Sequence, residues 1–386
     1  MSIDLGVYKN LQLRDRWADA PHWVRVVGTL ALIGFFFYLP FLNILPFAYI
    51  RTDLDTGGSD WGSVLFLCAI YAIVAVGLNV VIGLAGLLDL GYVGFYALGA
   101  YSVALFGSPS SPVTKKIADT FGWSDGWTVP FVVCIPLAIA LCLMAGVILG
   151  APTLRLRGDY LAIVTMGFGE IIRIFARNST FTGGPSGIIE VPKPPGPEAA
   201  DGRAFFNQID AYRWYWLVLV VLIILIMAVR RLENSRVGRS WLAIREDEDA
   251  AQIMGVAGFK FKLWAFAIGA ALGGLAGLFF GSKQGIVEPN GFQLNLSFLF
   301  VAMVVIGGSG NMAGAIFGAF LLTYLPERLR SLPFIGDSIT LYRPLIFGLA
   351  LVIIMINRPQ GLIPNRRRAR ELTDRKLEAE EAAADV

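Results

Sequence analysis

Apolar runs of roughly bilayer-spanning length, about twenty residues, recur along the chain and are separated by short polar or glycine-rich breaks. The clearest are "VRVVGTLALIGFFFYLPFLNIL" from Val24 and "WYWLVLVVLIILIMAV" from Trp214. The polar-apolar alternation of an outer-membrane barrel is missing, so the pattern predicts helices. Starts near residues 24, 62, 91, 129, 159, 212, 263, 297, 311 and 341 predict an all-α, polytopic transmembrane protein of about ten segments. The segments within Ser297 to Leu325, on either side of "GGSGNMAG", are too short for two ordinary spans and are expected to be broken or re-entrant helices.

One break is different in kind. "AIREDEDAAQIMGV", Ala243 to Val256, sets four consecutive acids beside an arginine. At the bilayer centre each such charge costs about 2.5 kcal/mol or more, so this stretch lies in water. Within residues 239–256 the spacing predicts one short amphipathic helix, N-capped by Ser240 and stopped at Gly255. Trp241, Ile244, Ala251 and Met254 form its apolar face, and Arg245, Glu246, Asp249 and Gln252 point away. The small Ala250 and Ala251 suit close approach by a soluble partner.

Composition agrees with a membrane protein: of 386 residues 56% are hydrophobic and 16% charged, with mean hydropathy +0.64. The net charge of +3 matters less than its placement. Clustered Lys and Arg mark the cytoplasmic side. That rule puts Lys9, Arg14, Arg16, Arg25, Arg155 and Arg157 there, with the stretches Arg230 to Lys262 and Arg358 to Lys376. Three regions follow: an amino-terminal cytoplasmic segment, 1–23; a membrane domain, 24–357; and a cytoplasmic tail, 358–386. Both termini are then inside, and the first apolar run reads as an uncleaved helix. The loop Asn178 to Tyr212, rich in Pro and Gly, is expected to be an irregular segment on the outer side.

Several chemistries lack their residues. No G-x-x-x-x-G-K-[ST] loop is present to cradle ATP. A single His22, with Cys68, Cys134 and Cys142 all in apolar runs, offers neither metal-ligand spacing nor a histidine triad. The spans carry no acid and histidine relay for protons. These absences argue against an enzyme, a zinc site and a proton-driven pump; no cofactor bound by this chain and no nucleic-acid partner are expected.

Polar groups inside spans are costly and so informative. Glu170 and Arg173 stand three apart on one helix face and read as a structural ion pair or a gating element. Asp89 is placed to cap the helix that follows it. Gly269, Gly273, Gly277 and Gly281 line one helix face, and Gly310, Gly314 and Gly318 repeat the spacing; such stripes serve close packing within the chain or a seam with another subunit. "VVIGLAG", from Val80, and "VVIGGSG", from Val304, echo one another and each opens a glycine-interrupted stretch. Paired interruptions of this kind mark substrate pathways in transporters.

Five segments carry a family resemblance: "GLNVVIGLAGLLDLGYVGFYALGAY", "TLRLRGDYLAIVTMGFGEIIRI", "GRSWLAIREDEDAAQIMG", "RPQGLIP" and, within the third, "DAAQIMG". The last resembles the Glu-Ala-Ala-x-x-x-Gly loop of ABC importer permeases, with Asp249 in place of Glu. Together they resemble the LivM-type permeases of high-affinity branched-chain amino acid importers. The resemblance implies a bacterial inner-membrane subunit paired with a LivH-type sister permease. It further implies two ATPase subunits that hold ATP and Mg, and a periplasmic amino-acid-binding protein. Arg245, Glu246, Asp247, Glu248, Asp249, Ala250, Ala251 and Gly255 would then couple to an ATPase. Asn79, Tyr92, Tyr96, Thr165, Ser309 and Asn311 are the pathway candidates, since a zwitterion needs polar groups at broken helices and apolar walls elsewhere. The alternatives are a permease for another small solute such as urea, amides or other amino acids, a stand-alone secondary transporter or channel, and a membrane scaffold.

Overall fold

The computed structural model describes residues 22–44, 61–121, 128–156, 158–197, 205–208, 210–330 and 361–363, with isolated positions between 345 and 356. The amino-terminal segment, the tail beyond residue 363 and nearly all of the span expected from residue 341 lie outside the described residues, and with them the placement of the two termini.

The chain is helical. In order come α1 (His22–Tyr38), α2 (Trp61–Leu78) continued by a wider π-type stretch (Asn79–Leu84), α3 (Tyr92–Gly107) and the short α4 (Pro112–Phe121). Then follow α5 (Phe131–Thr153), α6 (Asp159–Asn178), α7 (Ala211–Glu233), α8 (Arg236–Glu246), α9 (Glu248–Ile253), α10 (Gly258–Gln284), α11 (Leu294–Gly307) and α12 (Met312–Arg330). Each expected start up to residue 311 falls at or near the beginning of one of these helices. The count of ten crossings is not confirmed. Among the described residues five helical stretches are long and apolar enough to span: Trp61–Leu84, Phe131–Thr153, Ala211–Glu233, Gly258–Gln284 and Pro289–Gly307. The others fall short for physical reasons, α1 and α3 having 17 and 16 residues and α6 carrying charges along its length.

The interior is built on α2, α3 and α10, with α5, α6, α7, α11 and α12 packed around them. Glycine makes this possible. A Cβ on Gly277 would overlap the carbonyl of Tyr96, one on Gly99 would overlap that of Gly274, and one on Gly273 would meet the Tyr92 ring at 2.9 Å. The stripe on α10 therefore serves packing within the chain. Gly314 and Gly318 do the same for the α11 and α12 hairpin, against Gly307 and Met303. Gly310 belongs instead to the break between these helices, with φ +85°.

The bundle has two distinct ends. At one, Ile188–Ile189 (β1) pairs antiparallel with Ile286–Val287 (β2), Gln208 Nε2 donates to the Gln284 carbonyl at 2.9 Å, and Lys283 approaches Ser63 at 3.3 Å. The long loop after Asn178 is thus not wholly irregular, because it supplies a strand and two short 3-10 turns. At the other end lie α8 and α9, the breaks after α2 and α11, and the Leu154 turn that carries exposed Arg155.

Candidate functional site

The acidic stretch forms a compact knob of two helices, not the single helix expected. The chain turns extended at Asp247 (φ −152°, ψ 109°), and its carboxylate accepts from Ala250 N at 2.9 Å, so Asp247 ends α8 and caps α9. The N-cap of α8 is Ser235, which accepts from Val237 and Gly238; Ser240 sits inside the helix and donates back to the Arg236 carbonyl. Gly255, at φ +85°, stops α9 as expected.

The knob is anchored from beneath. Trp241 is fully buried and its Nε1 donates to the Phe261 carbonyl at 2.7 Å. Ile244 and Ala251 are buried beside it, and Glu248 pairs with Lys262 at 2.6 Å. Glu246, Asp249 and Ala250 face outward. Met254 does not join the buried face: it is 83% exposed, and Ile253 beside it 86%. The break at Asp247 shifts the helical register, which turns these two side chains out. Sequence periodicity missed Ile253, and only the extended residue in the middle of the stretch accounts for it.

Arg245 also departs from expectation. Its guanidinium points inward and donates to the Gly83 carbonyl, and its stem packs on Gly86, where a Cβ would meet Arg245 Cγ at 2.9 Å. Gly83 lies in the π-type stretch, whose altered hydrogen bonding leaves carbonyls open to other donors. In the same stretch Asn79 Oδ1 accepts from Gly310 N at 2.8 Å, buried. The two echoed segments are therefore in contact, and Arg245 ties the knob to the place where they meet.

Asn311 completes this junction. It accepts from Ala313 N at 3.2 Å at the start of α12 and donates through Nδ2 to the Ile363 carbonyl at 3.0 Å. Leu362 and Ile363, from "RPQGLIP", donate to the carbonyls of Ile306 and Gly307 at 2.8 and 3.0 Å, satisfying the end of α11. Ser309, in the break between α11 and α12, is half-buried.

The remaining pathway candidates do not converge on this junction. Tyr92 is fully buried and donates to the Gly269 carbonyl at 2.7 Å, a packing role that uses its hydroxyl proton. Tyr96 is fully buried among Phe280, Phe292 and Phe300, and its hydroxyl has no hydrogen-bond partner among the described residues. Thr165 supports the non-helical segment before α3 by accepting from Leu90 N at 3.1 Å. Ser297, a residue that sequence reading passed over, donates to the Leu90 carbonyl at 2.6 Å. Asp89 does not cap α3 directly. Its Oδ1 closes the turn just ahead by accepting from Gly91 N at 2.9 Å. Irregular backbone at membrane depth requires such side-chain partners.

Glu170 and Arg173 form the expected pair, with Arg173 Nε at 3.1 and 3.0 Å from the two carboxylate oxygens and a further contact from Nη2. Among the described residues no group of three His, Cys, Asp or Glu side chains could hold a metal.

A polytopic helical bundle, broken at two touching glycine segments and bearing a charged knob outside the apolar layer, defines a membrane permease. Residues 62–355 match the family described as branched-chain amino acid transport system / permease component, and the chain belongs to that family. It is 40% identical over 354 residues to the high-affinity branched-chain amino acid transport system permease protein LivM of Escherichia coli K12, covering 87% of this chain and 76% of that protein. It is 26% identical to the probable LivM permease of Methanocaldococcus jannaschii, over 78% of this chain and 93% of that one. It is also 26% identical to the autoinducer 2 import system permease LsrC of Salmonella typhi, over about half of each chain (50% and 55%). No solved structure matches.

Proposed function

We propose that the chain is the inner-membrane permease subunit of an ATP-driven importer for leucine, isoleucine and valine, working with a LivH-type sister permease, two ATPase subunits and a periplasmic binding protein. ATP and Mg belong to the ATPases in this reading. The observation that carries it is the link through Arg245: a knob with exposed Ile253 and Met254 at its tip is joined through this side chain to the helix break at Gly83.

ATP-driven closure of the ATPases displaces the knob, and Arg245 passes the movement to Gly83 and so to Asn79 and Gly310. In the conformation described, Gly310 N–H is held by Asn79. Releasing it frees a backbone donor for the carboxylate of an amino acid, while apolar walls accept an aliphatic side chain. The knob faces the cytoplasm, since Arg155 and the basic flanks of α8 share its end of the bundle.

The test is ATP hydrolysis by the assembled complex, with the binding protein present, screened over amino acids, amides and autoinducer 2. Leucine, isoleucine and valine are expected to stimulate. The likeness to LsrC favours a second reading, import of another small polar solute; stimulation by autoinducer 2 and not by leucine would select it. Uptake by this chain reconstituted alone would defeat both.

A further inference from the structure

Three long helices turn apolar faces outward, and one differs from the other two. On α5 the exposed residues include Val133, Met144 and Ile148, and on α7 Val220, Ile224 and Met227. No charged residue lies within α5, nor between Tyr215 and Val229 of α7. Such faces suit hydrocarbon. On α6 the exposed Ile163, Ile171 and Phe175 share the helix with the Glu170 and Arg173 pair, whose side chains are 29% and 19% exposed.

At 1.5 Å rise per residue, Glu170 lies about 17 Å from the start of α6, which corresponds to the middle of a hydrocarbon layer about 30 Å thick if α6 crosses it end to end. Pairing reduces the cost of charge at that depth, but among the described residues it engages only Nε and Nη2 of a guanidinium that carries five N–H donors. Gly167 lies one turn before Ile171, exposed, with nothing within 4 Å of where a Cβ would stand. The missing side chain would let a neighbouring helix approach closely there. A shallow, open depression continues past it towards the end of α6, lined by Ile171, Ile174, Phe175, Asn178 and Ser179. The glycine stripes that would otherwise offer a seam are consumed inside the chain, and they close α3 onto α10 at backbone contact.

We propose that the outward face of α6 is the surface on which the second permease subunit sits, with Glu170 and Arg173 set at the polar centre of that seam. This rests on the reading that a LivH-type permease completes the transporter. It adds which face of this chain meets that subunit, and it places the charged pair on the boundary where a shared pathway runs.

A photo-cross-linking residue placed at Gly167 or Ile171, in membranes of cells co-expressing the LivH-type permease and both ATPases, tests the surface directly. The expected product is an adduct of this chain with the sister permease. Probes at Ile148 on α5 and Ile224 on α7 are expected to label lipid alone. In addition, Ile171→Trp is expected to lower retention of the sister permease in the purified complex severalfold, and Ile148→Trp to leave it unchanged. If the sister permease copurifies but α6 probes reach only lipid, only a second copy of this chain, or less of the sister than the α5 and α7 probes do, the seam is wrong and the functional reading stands. A chain that binds no second permease under co-expression overturns both.

Discussion

Arg245 shows how much a single side chain can change the meaning of a motif. A helical wheel drawn through residues 239–256 sends it outward with its acidic neighbours, because the wheel assumes unbroken helix. The extended Asp247 ends that helix one turn after Ile244 is buried, and Arg245 is left to reach the Gly83 carbonyl. Hydrogen bonds from a charged donor contribute about 1.5–3 kcal/mol, enough to hold the knob and the break in one arrangement. Arg245→Met is accordingly expected to leave complex assembly and ATP hydrolysis near normal while uptake falls at least tenfold. Arg245→Lys, which retains a donor, should fall between the two. Equal loss of hydrolysis and uptake in the Met variant would show that Arg245 serves docking instead of transmission. Asn79 was legible in the sequence as a polar residue at a glycine break; its partner Gly310 was not, since nothing in a linear echo says that the two copies touch.

At the scale of elements, the apolar runs located the long helices well, because length and hydrophobicity are the properties that a bilayer selects. Elements governed by local geometry stayed hidden. The strands β1 and β2 have two residues each, too few for alternation to register, and α4 lies in a connection that no apolar run marked. The glycine stripe on α10 was visible, but its use inside the chain became clear only from the facing carbonyls of α3. Leu at position 277 would push against the Tyr96 carbonyl. Overpacking costs about 1–3 kcal/mol where side chains can yield, and backbone yields less. Gly277→Leu should therefore reduce the amount of folded protein recovered from membranes severalfold, measured by size-exclusion chromatography. The knob allows the opposite expectation. Ile253→Glu, at an exposed tip, should leave folding unchanged and lower ATPase retention at least tenfold. A bulky residue at buried Ala251 would disturb the knob itself, whereas Ala250→Trp probes the docked contact. If Ile253→Glu and Ala250→Trp both keep their ATPases and their uptake, the tip is not the docking surface.

For the molecule as a whole, the remaining question is which end faces the cell interior. The geometry fixes relative sides: Arg155, α8 and α9 share one end, and Lys193, which precedes the loop's return to α7, belongs with the β1 and β2 ladder at the other. Arg230 and Arg231 stand just before the knob and Arg236 and Arg239 lie on α8; because clustered basic residues stay on the cytoplasmic side, we propose that this end faces inward. The chain is well suited to a labelling test, because Cys68, Cys134 and Cys142 are all buried and should give little background. Single cysteines at Lys193 and Arg236, treated with an impermeant maleimide on intact spheroplasts, are expected to differ completely, with Lys193→Cys labelled and Arg236→Cys labelled only after permeabilisation. The reverse pattern would invert the bundle and place the knob outside, where no ATPase could reach it. That outcome would defeat the importer reading more directly than any substrate screen, because orientation is the one property that a docking knob cannot do without.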